Sequence, residues 1–168
     1  MTNLSCFMDM AERTRMPDEK QILFICTGNT CRSPMAAAVY NAYYAAGLDR
    51  AYSAGLAAQG SAISPYAAEA LADAGIRSTP DNPYLCHISH TVTRDDMMRA
   101  SLVVAMTGEH AMQLLLAFPA YATKITVMAD EIPDPYGGDI TIYKHCLAAI
   151  CTAMKKMFRQ NNGVEGEV

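Results

Sequence analysis

Short apolar runs alternate along this chain with longer segments in which apolar residues recur at helical spacing. The runs at 22–26 and 101–106 are apolar almost throughout, a pattern typical of parallel strands that are covered on both faces. Strands that alternate with helices predict helices packed on either side of such a sheet. The pattern therefore predicts a single α/β domain with a four-stranded parallel sheet. The predicted strands are 22–26, 51–54, 101–106 and 124–128.

Capping residues mark the beginnings of the predicted helices. The Ser-Pro pairs at 33–34 and 64–65 each place a serine at the N-cap and a proline at the first helical position. The first of these helices carries an apolar stripe that is expected to face the core, formed by Met35, Val39, Tyr43 and Ala46. The remaining predicted caps are Thr93 (in a capping box with Asp96), Thr107 and Asp139. The predicted helices are 33–46, 65–74, a short one from 94, 108–118 and 140–159.

In a parallel sheet of this kind, ligands bind beyond the carboxyl ends of the strands. The loop after the first strand begins at Cys26, and the loop after the second strand begins near Gly55. Asp134 lies in the loop that follows the fourth strand. The three loops are therefore expected to meet at one edge of the sheet.

Composition excludes several classes of function. The net charge of the 168 residues is −4 with no dominant basic patch, which argues against a nucleic-acid-binding protein. No apolar run approaches the length needed to cross a bilayer, and residues 1–21 do not resemble a signal peptide, so a cytoplasmic location is expected. The four histidines show no metal-ligand spacing. We expect a flexible extension over 1–20, one domain over 21–159 and a polar tail over 160–168.

The loop from Cys26 to Arg32 has the features of an oxyanion cradle with a nucleophile at its base. Backbone N–H groups and a helix N-terminus attract an anion, and a guanidinium binds two of its oxygens. Gly28 allows the backbone to turn, Asn29 tolerates a left-handed conformation, and the Ser33 hydroxyl can donate to a thiolate or to the loop. The alternative is a buried strand-end cysteine and a surface arginine. The position between a buried strand and a helix start favours the cradle.

Transfer of a phosphoryl group to a thiolate also requires an acid that protonates the leaving group. Asp134 is the best placed candidate, because Pro135 restricts the backbone after it and Tyr136 can form a pocket wall. Asp139 is more simply explained as a helix cap. Asp130 and Glu131 are expected to be solvated or to hold the shape of the loop.

The segment from Cys26 to Met35, CTGNTCRSPM, resembles the phosphate loop of the low-molecular-weight protein phosphatases. Segments 52–55, 64–65, 102–106 and 134–137 match the same family in the same order, and the resemblance covers about residues 21–159. It implies a mechanism without metal or other cofactor, in which Cys26 attacks phosphorus, Arg32 binds the oxygens and Asp134 acts as acid and then base. It further implies a monomer that acts on phosphorylated proteins. The implied phosphate-binding residues are Thr27, Gly28, Asn29, Thr30, Cys31, Arg32 and Ser33.

Thr30 bears on the choice of substrate. Tyrosine phosphatases of this family usually carry a bulky aliphatic residue at that position, whereas the threonine resembles the bacterial protein arginine phosphatases. A hydroxyl there offers a polar contact to a guanidinium, and the loop 56–59 has no aromatic residue to form a second wall for a phosphotyrosine ring. Phosphoarginine is therefore the favoured substrate, with Thr30 and Tyr136 lining the pocket. Phosphotyrosine, with Thr30 as a space-filling residue, is the alternative.

Further alternatives concern the cysteines. The resemblance implies a reversible Cys26–Cys31 disulfide that protects the nucleophile, but Cys31 is equally explained as a small packed thiol. An arsenate reductase of the same fold uses two cysteines close together downstream, where this sequence has one, Cys86, which argues against that function. The alternative to an enzyme is a non-catalytic module that binds phosphate or senses redox state. His87 is expected to hold loops by hydrogen bonds.

Overall fold

The computed structural model describes residues 20–47 and 49–158, so the predicted terminal segments lie outside the described residues except for Lys20. Four strands form one parallel sheet in the order β2-β1-β3-β4, which confirms the predicted fold class. The strands are β1 (Gln21–Cys26), β2 (Arg50–Gly55), β3 (Leu102–Ala105) and β4 (Ile125–Val127). The α-helices are α1 (Arg32–Tyr43), α2 (Pro65–Asp73), α3 (Arg94–Arg99), α4 (Gly108–Ala117) and α5 (Ile140–Met157). Short 3-10 helices span Tyr84–Cys86 and Pro119–Lys124.

The two faces of β1 are buried in two separate hydrophobic clusters. Phe24 packs in a cluster with residues of α1, α2 and α5. Leu23 and Ile25, whose side chains point to the opposite face, pack with residues of α3 and α4. Burial on both faces explains why this strand is apolar throughout.

Several helix boundaries agree with the sequence. Thr93 and Asp96 form the predicted capping box, in which each side chain bonds the backbone N–H of the other. Thr107 accepts from the His110 N–H, and Asp139 accepts from the Ile142 N–H. Within the described part of the chain, no helix is both long and apolar enough to span a bilayer.

The prediction for the first helix is wrong at both ends. The helix begins at Arg32 with Cys31 as its N-cap, and no side chain caps it. The predicted cap, Ser33, is buried and its hydroxyl bonds other groups of the loop. At the far end the helix stops at Tyr43, which is 50% exposed, so the buried stripe is shorter than predicted.

Three loops meet at the carboxyl edge of the sheet, as the topology predicts. The loop after β2 is bonded to the loop after β1, because Leu56 N–H donates to the Cys26 carbonyl and Ala57 N–H to the Thr27 carbonyl, both at 2.9 Å. A Cβ atom on Gly55 would lie 2.5 Å from the Thr27 carbonyl oxygen, so only glycine permits this approach. The third loop joins the edge where Ile132 N–H donates to the Met106 carbonyl at 3.0 Å.

Candidate active site

Cys26 lies at the end of β1 with its thiol buried inside the loop that follows. The Ser33 hydroxyl is 3.0 Å from Sγ, and the Asn29 N–H donates to Sγ at 3.3 Å. Both groups can donate to a thiolate, and hydrogen bonds to a charged form favour that form. The described structure therefore places two donors on the sulfur that was predicted to be the nucleophile.

Asn29 holds the loop in shape from inside. Its φ of 57° is left-handed, the conformation that the sequence predicts for it. The side-chain amide donates to Ser33 Oγ at 3.0 Å and to Ser53 Oγ at 2.9 Å, and its oxygen accepts from the His90 N–H. His87 donates Nε2–H to the Asn29 carbonyl at 2.7 Å, which confirms its predicted role in holding loops. Each polar group of this buried residue is thereby bonded.

Arg32 and Asp134 are 102 positions apart in the sequence and form an ion pair in the structure. Arg32 Nη2 lies 2.7 Å from Asp134 Oδ2, and Nη1 donates to the Ile132 carbonyl at 3.4 Å. The guanidinium is 7% exposed, whereas the carboxylate is 51% exposed. The Tyr136 N–H donates to the other carboxylate oxygen at 3.1 Å. An oxyanion that binds the guanidinium would compete with Asp134 for the same N–H donors.

The other acidic residues of this region have separate contacts. Asp130 pairs with Lys156 at 2.6 Å, and the Gly108 N–H donates to Glu131 at 3.1 Å. Asp139 caps α5. Of the four candidates from the sequence, the structure brings only Asp134 to the guanidinium of Arg32.

The N-terminus of α1 is electrostatically open to an anion. Its first turn contains no acidic residue, and its N-cap, Cys31, makes no side-chain capping bond. The first N–H groups of a helix have no partner within the helix and carry partial positive charge. Together with the Arg32 guanidinium, these N–H groups are donors that an oxyanion can accept.

Cys31 points away from the pocket, into the protein. Its Sγ lies 3.2 Å from the Tyr143 hydroxyl, which in turn accepts from the Ser64 hydroxyl at 3.2 Å. Burial, and then the contact with Cys31, raise the pKa of Tyr143 to about 12, so the phenol stays neutral. Cys26 and Cys31 are both free thiols. The implied protective disulfide stays a prediction.

Sequence reasoning missed His110 as a residue of this site. The imidazole is 5% exposed, with Nε2 2.9 Å from Thr27 Oγ1 and Nδ1 2.7 Å from Thr107 Oγ1. The sequence contained a signal for this contact. The parallel strands β1 and β3 end at the same edge of the sheet, and Thr107 and His110 follow β3 there. Within residues 20–47 and 49–158, no group of three His, Cys, Asp or Glu side chains could hold a metal ion.

The family model for "Low molecular weight phosphotyrosine protein phosphatase" matches residues 21–165. The protein-arginine-phosphatase of Bacillus subtilis is 34% identical over 149 residues, which are 83% of this chain and 95% of that protein. A low molecular weight protein-tyrosine-phosphatase of Streptomyces coelicolor is 31% identical and covers 77% of this chain and 86% of its own length. The structure of the arginine phosphatase YwlE of Geobacillus stearothermophilus superposes with a TM-score of 0.75 at 32% identity, covering 84% and 92% of the two chains.

Proposed function

Because this chain belongs to the low-molecular-weight phosphotyrosine protein phosphatase family, we propose that it hydrolyses phosphoarginine side chains of proteins through a phosphocysteine. The observation that carries the chemistry is the convergence of three groups in one loop cluster. Cys26 is bonded by two donors, Arg32 lies at the helix N-terminus, and Asp134 lies 2.7 Å from Arg32. These are the nucleophile, the anion-binding group and the acid that phosphoryl transfer to sulfur requires.

In the first step the Cys26 thiolate attacks phosphorus and the bond to the leaving group breaks. Arg32 and the N–H groups of the loop bind the three oxygens that do not react, where negative charge accumulates. As the phosphorus–nitrogen bond breaks, Asp134 gives its proton to the departing nitrogen, so that arginine leaves as a guanidinium cation. The Ser33 hydroxyl, 3.0 Å from the sulfur, stabilises the thiolate before attack and after release.

In the second step water attacks the phosphocysteine and the sulfur–phosphorus bond breaks. Asp134 is now a carboxylate and takes a proton from the attacking water. Phosphate leaves, and the Cys26 thiolate is regenerated within the same hydrogen bonds. The enzyme therefore ends each cycle in its initial protonation state, with no metal or redox partner in the reaction.

Thr30 supports phosphoarginine as the substrate. It is partly exposed on the loop, and its hydroxyl approaches Cys31 Sγ at a long 3.6 Å, which leaves acceptor capacity for a guanidinium N–H. The loop 56–59 brings no aromatic side chain to the edge of the sheet. The similarity to two curated protein-arginine-phosphatases is in accord with this substrate.

Phosphotyrosine is the second candidate, and the observation that favours it is Tyr136. This ring is 81% exposed beside Asp134 and could stack on a phenyl leaving group. The tyrosine phosphatase among the relatives is in accord with that possibility.

A paired assay separates the two candidates. Matched peptides that carry phosphoarginine or phosphotyrosine are hydrolysed by the parent, by Thr30→Ile and by Thr30→Ser, and kcat/KM is measured for each. We expect the parent to prefer phosphoarginine, and Thr30→Ile to shift the ratio towards phosphotyrosine by about ten-fold or more. Thr30→Ser keeps the hydroxyl and is expected to keep the preference. A parent that prefers phosphotyrosine would show that the substrate assignment is wrong.

A further inference from the structure

Both ring nitrogens of His110 are engaged with threonine hydroxyls from two different loops. Nε2 lies 2.9 Å from Thr27 Oγ1, and Nδ1 lies 2.7 Å from Thr107 Oγ1. Thr27 follows Cys26 directly in the sequence and is exposed, whereas the histidine is buried. The backbone of Thr27 is held independently, because its carbonyl accepts from the Ala57 N–H. The histidine therefore determines where the Thr27 hydroxyl points, and it does so from inside the protein.

The surroundings of His110 keep the imidazole neutral. Burial lowers its pKa from the usual 6.5, and the nearby Arg32 guanidinium lowers it further. Three carboxylates face the ring and act in the opposite direction, from Glu109, Asp134 and Glu131, without cancelling the shift. A neutral imidazole has one nitrogen that donates and one that accepts.

The distances assign these two roles. Thr107 Oγ1 already accepts the His110 backbone N–H at 3.3 Å, so its hydrogen is left to donate. The 2.7 Å separation from Nδ1 is typical of a hydroxyl donor, and the 2.9 Å separation from Nε2 to Thr27 is typical of an N–H donor. Thr27 Oγ1 thus accepts from Nε2–H and keeps a second lone pair.

We propose that His110 is a positioning residue that fixes the Thr27 hydroxyl as an acceptor for an N–H of the guanidinium leaving group. The proposal rests on the proposed function, and it makes Thr27 a second determinant of specificity beside Thr30. When Asp134 protonates the departing nitrogen, the arginine side chain becomes a cation with several N–H donors. The lone pair of Thr27 binds one of these donors, and a neutral His110 behind it places no positive charge next to the cation.

An aryl phosphate provides the contrast. A phenolic leaving group has no N–H to donate, so it gains nothing from an acceptor at Thr27. Protonation of His110 would likewise disfavour a departing guanidinium by charge repulsion, but a departing phenol far less. The ratio of kcat/KM for a phosphoarginine peptide to that for p-nitrophenyl phosphate therefore reports the contact separately from the shared chemistry at Cys26.

The test measures this ratio for four single variants and one double variant. Thr27→Val removes the hydroxyl while keeping the shape, and we expect the ratio to fall about ten-fold. His110→Leu is expected to lower the ratio by a similar factor, with little further loss in the double variant, because both changes remove one contact. His110→Gln keeps a group that can hydrogen-bond Thr27 and is expected to restore most of the ratio. Thr152→Val, the same substitution on the exposed face of α5, is the matched control with the parent's ratio.

A pH series adds a readout that a merely structural histidine would not change. Below pH of about 6.5 the parent's ratio is expected to fall as His110 gains a proton, after correction for spontaneous hydrolysis, whereas His110→Gln shows no such fall. The positioning role is refuted if Thr27→Val lowers kcat/KM equally for both substrates and the parent's ratio does not change with pH. The proposed function stands in that case, provided that the parent hydrolyses phosphoarginine. A parent that hydrolyses p-nitrophenyl phosphate but not phosphoarginine refutes the proposed substrate, and this inference with it. Should His110→Leu fail to fold in a thermal unfolding assay, Thr27→Val alone decides the outcome.

Discussion

The two loops that form the candidate site are built in opposite ways. In the loop from Cys26 to Ser33, the side chains of Asn29 and Ser33 are fully buried and hydrogen-bonded to one another and to the next strand. In the loop from Ile132 to Gly138, Asp134 is half exposed and Tyr136 almost fully exposed. The ion pair between Arg32 and Asp134 joins the two.

This difference matches what the proposed function requires each loop to bind. A phosphoryl group has the same shape in every substrate, so a rigid cradle of fixed donors stabilises its transition state without reorganisation. The leaving group differs between substrates, and the exposed loop beside it can vary with little effect on the fold. Changes at the buried residues Cys26, Asn29 and Ser33 are therefore expected to affect all substrates alike. Changes at the more exposed Thr27 and Thr30, or in the second loop, are expected to depend on the leaving group. Four predictions test this division.

The largest effect is expected for Cys26, the proposed nucleophile. Cys26→Ser should lower kcat for every phosphorylated substrate by at least roughly ten-thousand-fold, because a hydroxyl at this position has no base to ionise it. Initial rates of phosphate release measure the loss. Thermal unfolding and phosphate binding should stay near those of the parent, which separates loss of chemistry from loss of structure. Activity that persists in this variant would mean that Cys26 is not the nucleophile.

The next effect, at Asp134, should depend on the leaving group. Asp134→Asn should lower kcat about 100-fold or more for leaving groups that need a proton, such as phosphoarginine or phosphotyrosine. For p-nitrophenyl phosphate, whose leaving group departs readily as an anion, the loss should be much smaller. Steady-state kinetics with both classes of substrate measures the difference, and an equal loss for all of them would argue against a general acid.

The contribution of Asp96 to the free energy of unfolding should be lost at acid pH. This side chain contacts His90, whose backbone bonds Asn29 in the first loop. Burial raises the pKa of Asp96, but the hydrogen bonds from His90 and Thr93 outweigh it and hold the pKa at about 2, below its ordinary 3.8. A lowered carboxyl pKa stabilises the fold above the unfolded value and loses that contribution as the pH falls from about 4 to about 2. Asp96→Asn should therefore cost about 2 kcal/mol of unfolding free energy at neutral pH.

Urea unfolding at a series of pH values measures this contribution. The variant should also lose less stability than the parent between pH of about 4 and about 2. Asp95→Asn, an exposed aspartate in the same helical turn, is the control and should change little. Equal acid sensitivity in the parent and in Asp96→Asn would contradict the assignment.

The smallest effect is expected at the open side of the site. Tyr136→Ala removes an exposed ring from the pocket mouth, so kcat/KM for peptides should fall by about three-fold, mainly through KM. The free energy of unfolding should change by less than about 0.5 kcal/mol, as for other exposed positions. Tyr136→Phe keeps the ring and should retain the parent's kinetics. A large loss of stability in Tyr136→Ala would mean that the loop from Ile132 to Gly138 cannot vary without affecting the fold.

The sequence was most informative where one local rule acted alone. The apolar run of β1, the caps at Thr93, Thr107 and Asp139, and the left-handed conformation of Asn29 each follow from a few neighbouring residues. It misled where a residue had two possible partners. Ser33 has the chemistry of an N-cap, but in the folded chain its hydroxyl bonds Cys26 and Asn29, and the helix begins before it.

His110 shows a different limit. Its position three residues after a capping threonine is visible in the sequence, yet its contact with Thr27 spans 83 positions. Such a contact exists only because β1 and β3 are neighbours in the sheet, with Ile25 paired to Ala105. Periodicity predicts that strands pair, but not which side chain of one loop meets which side chain of another.

The amino-acid sequence by itself determined the parallel sheet and the order of its helices, because apolar periodicity and capping are local properties. It also determined the loop of Cys26 and Arg32, since the residues that form this cradle are contiguous. Only the tertiary structure decided that Asp134, the candidate that the sequence favoured, contacts Arg32, that Cys31 turns towards Tyr143, and that His110 holds Thr27. These pairings depend on how the strand ends are brought together, and that arrangement results from packing the whole chain around one sheet.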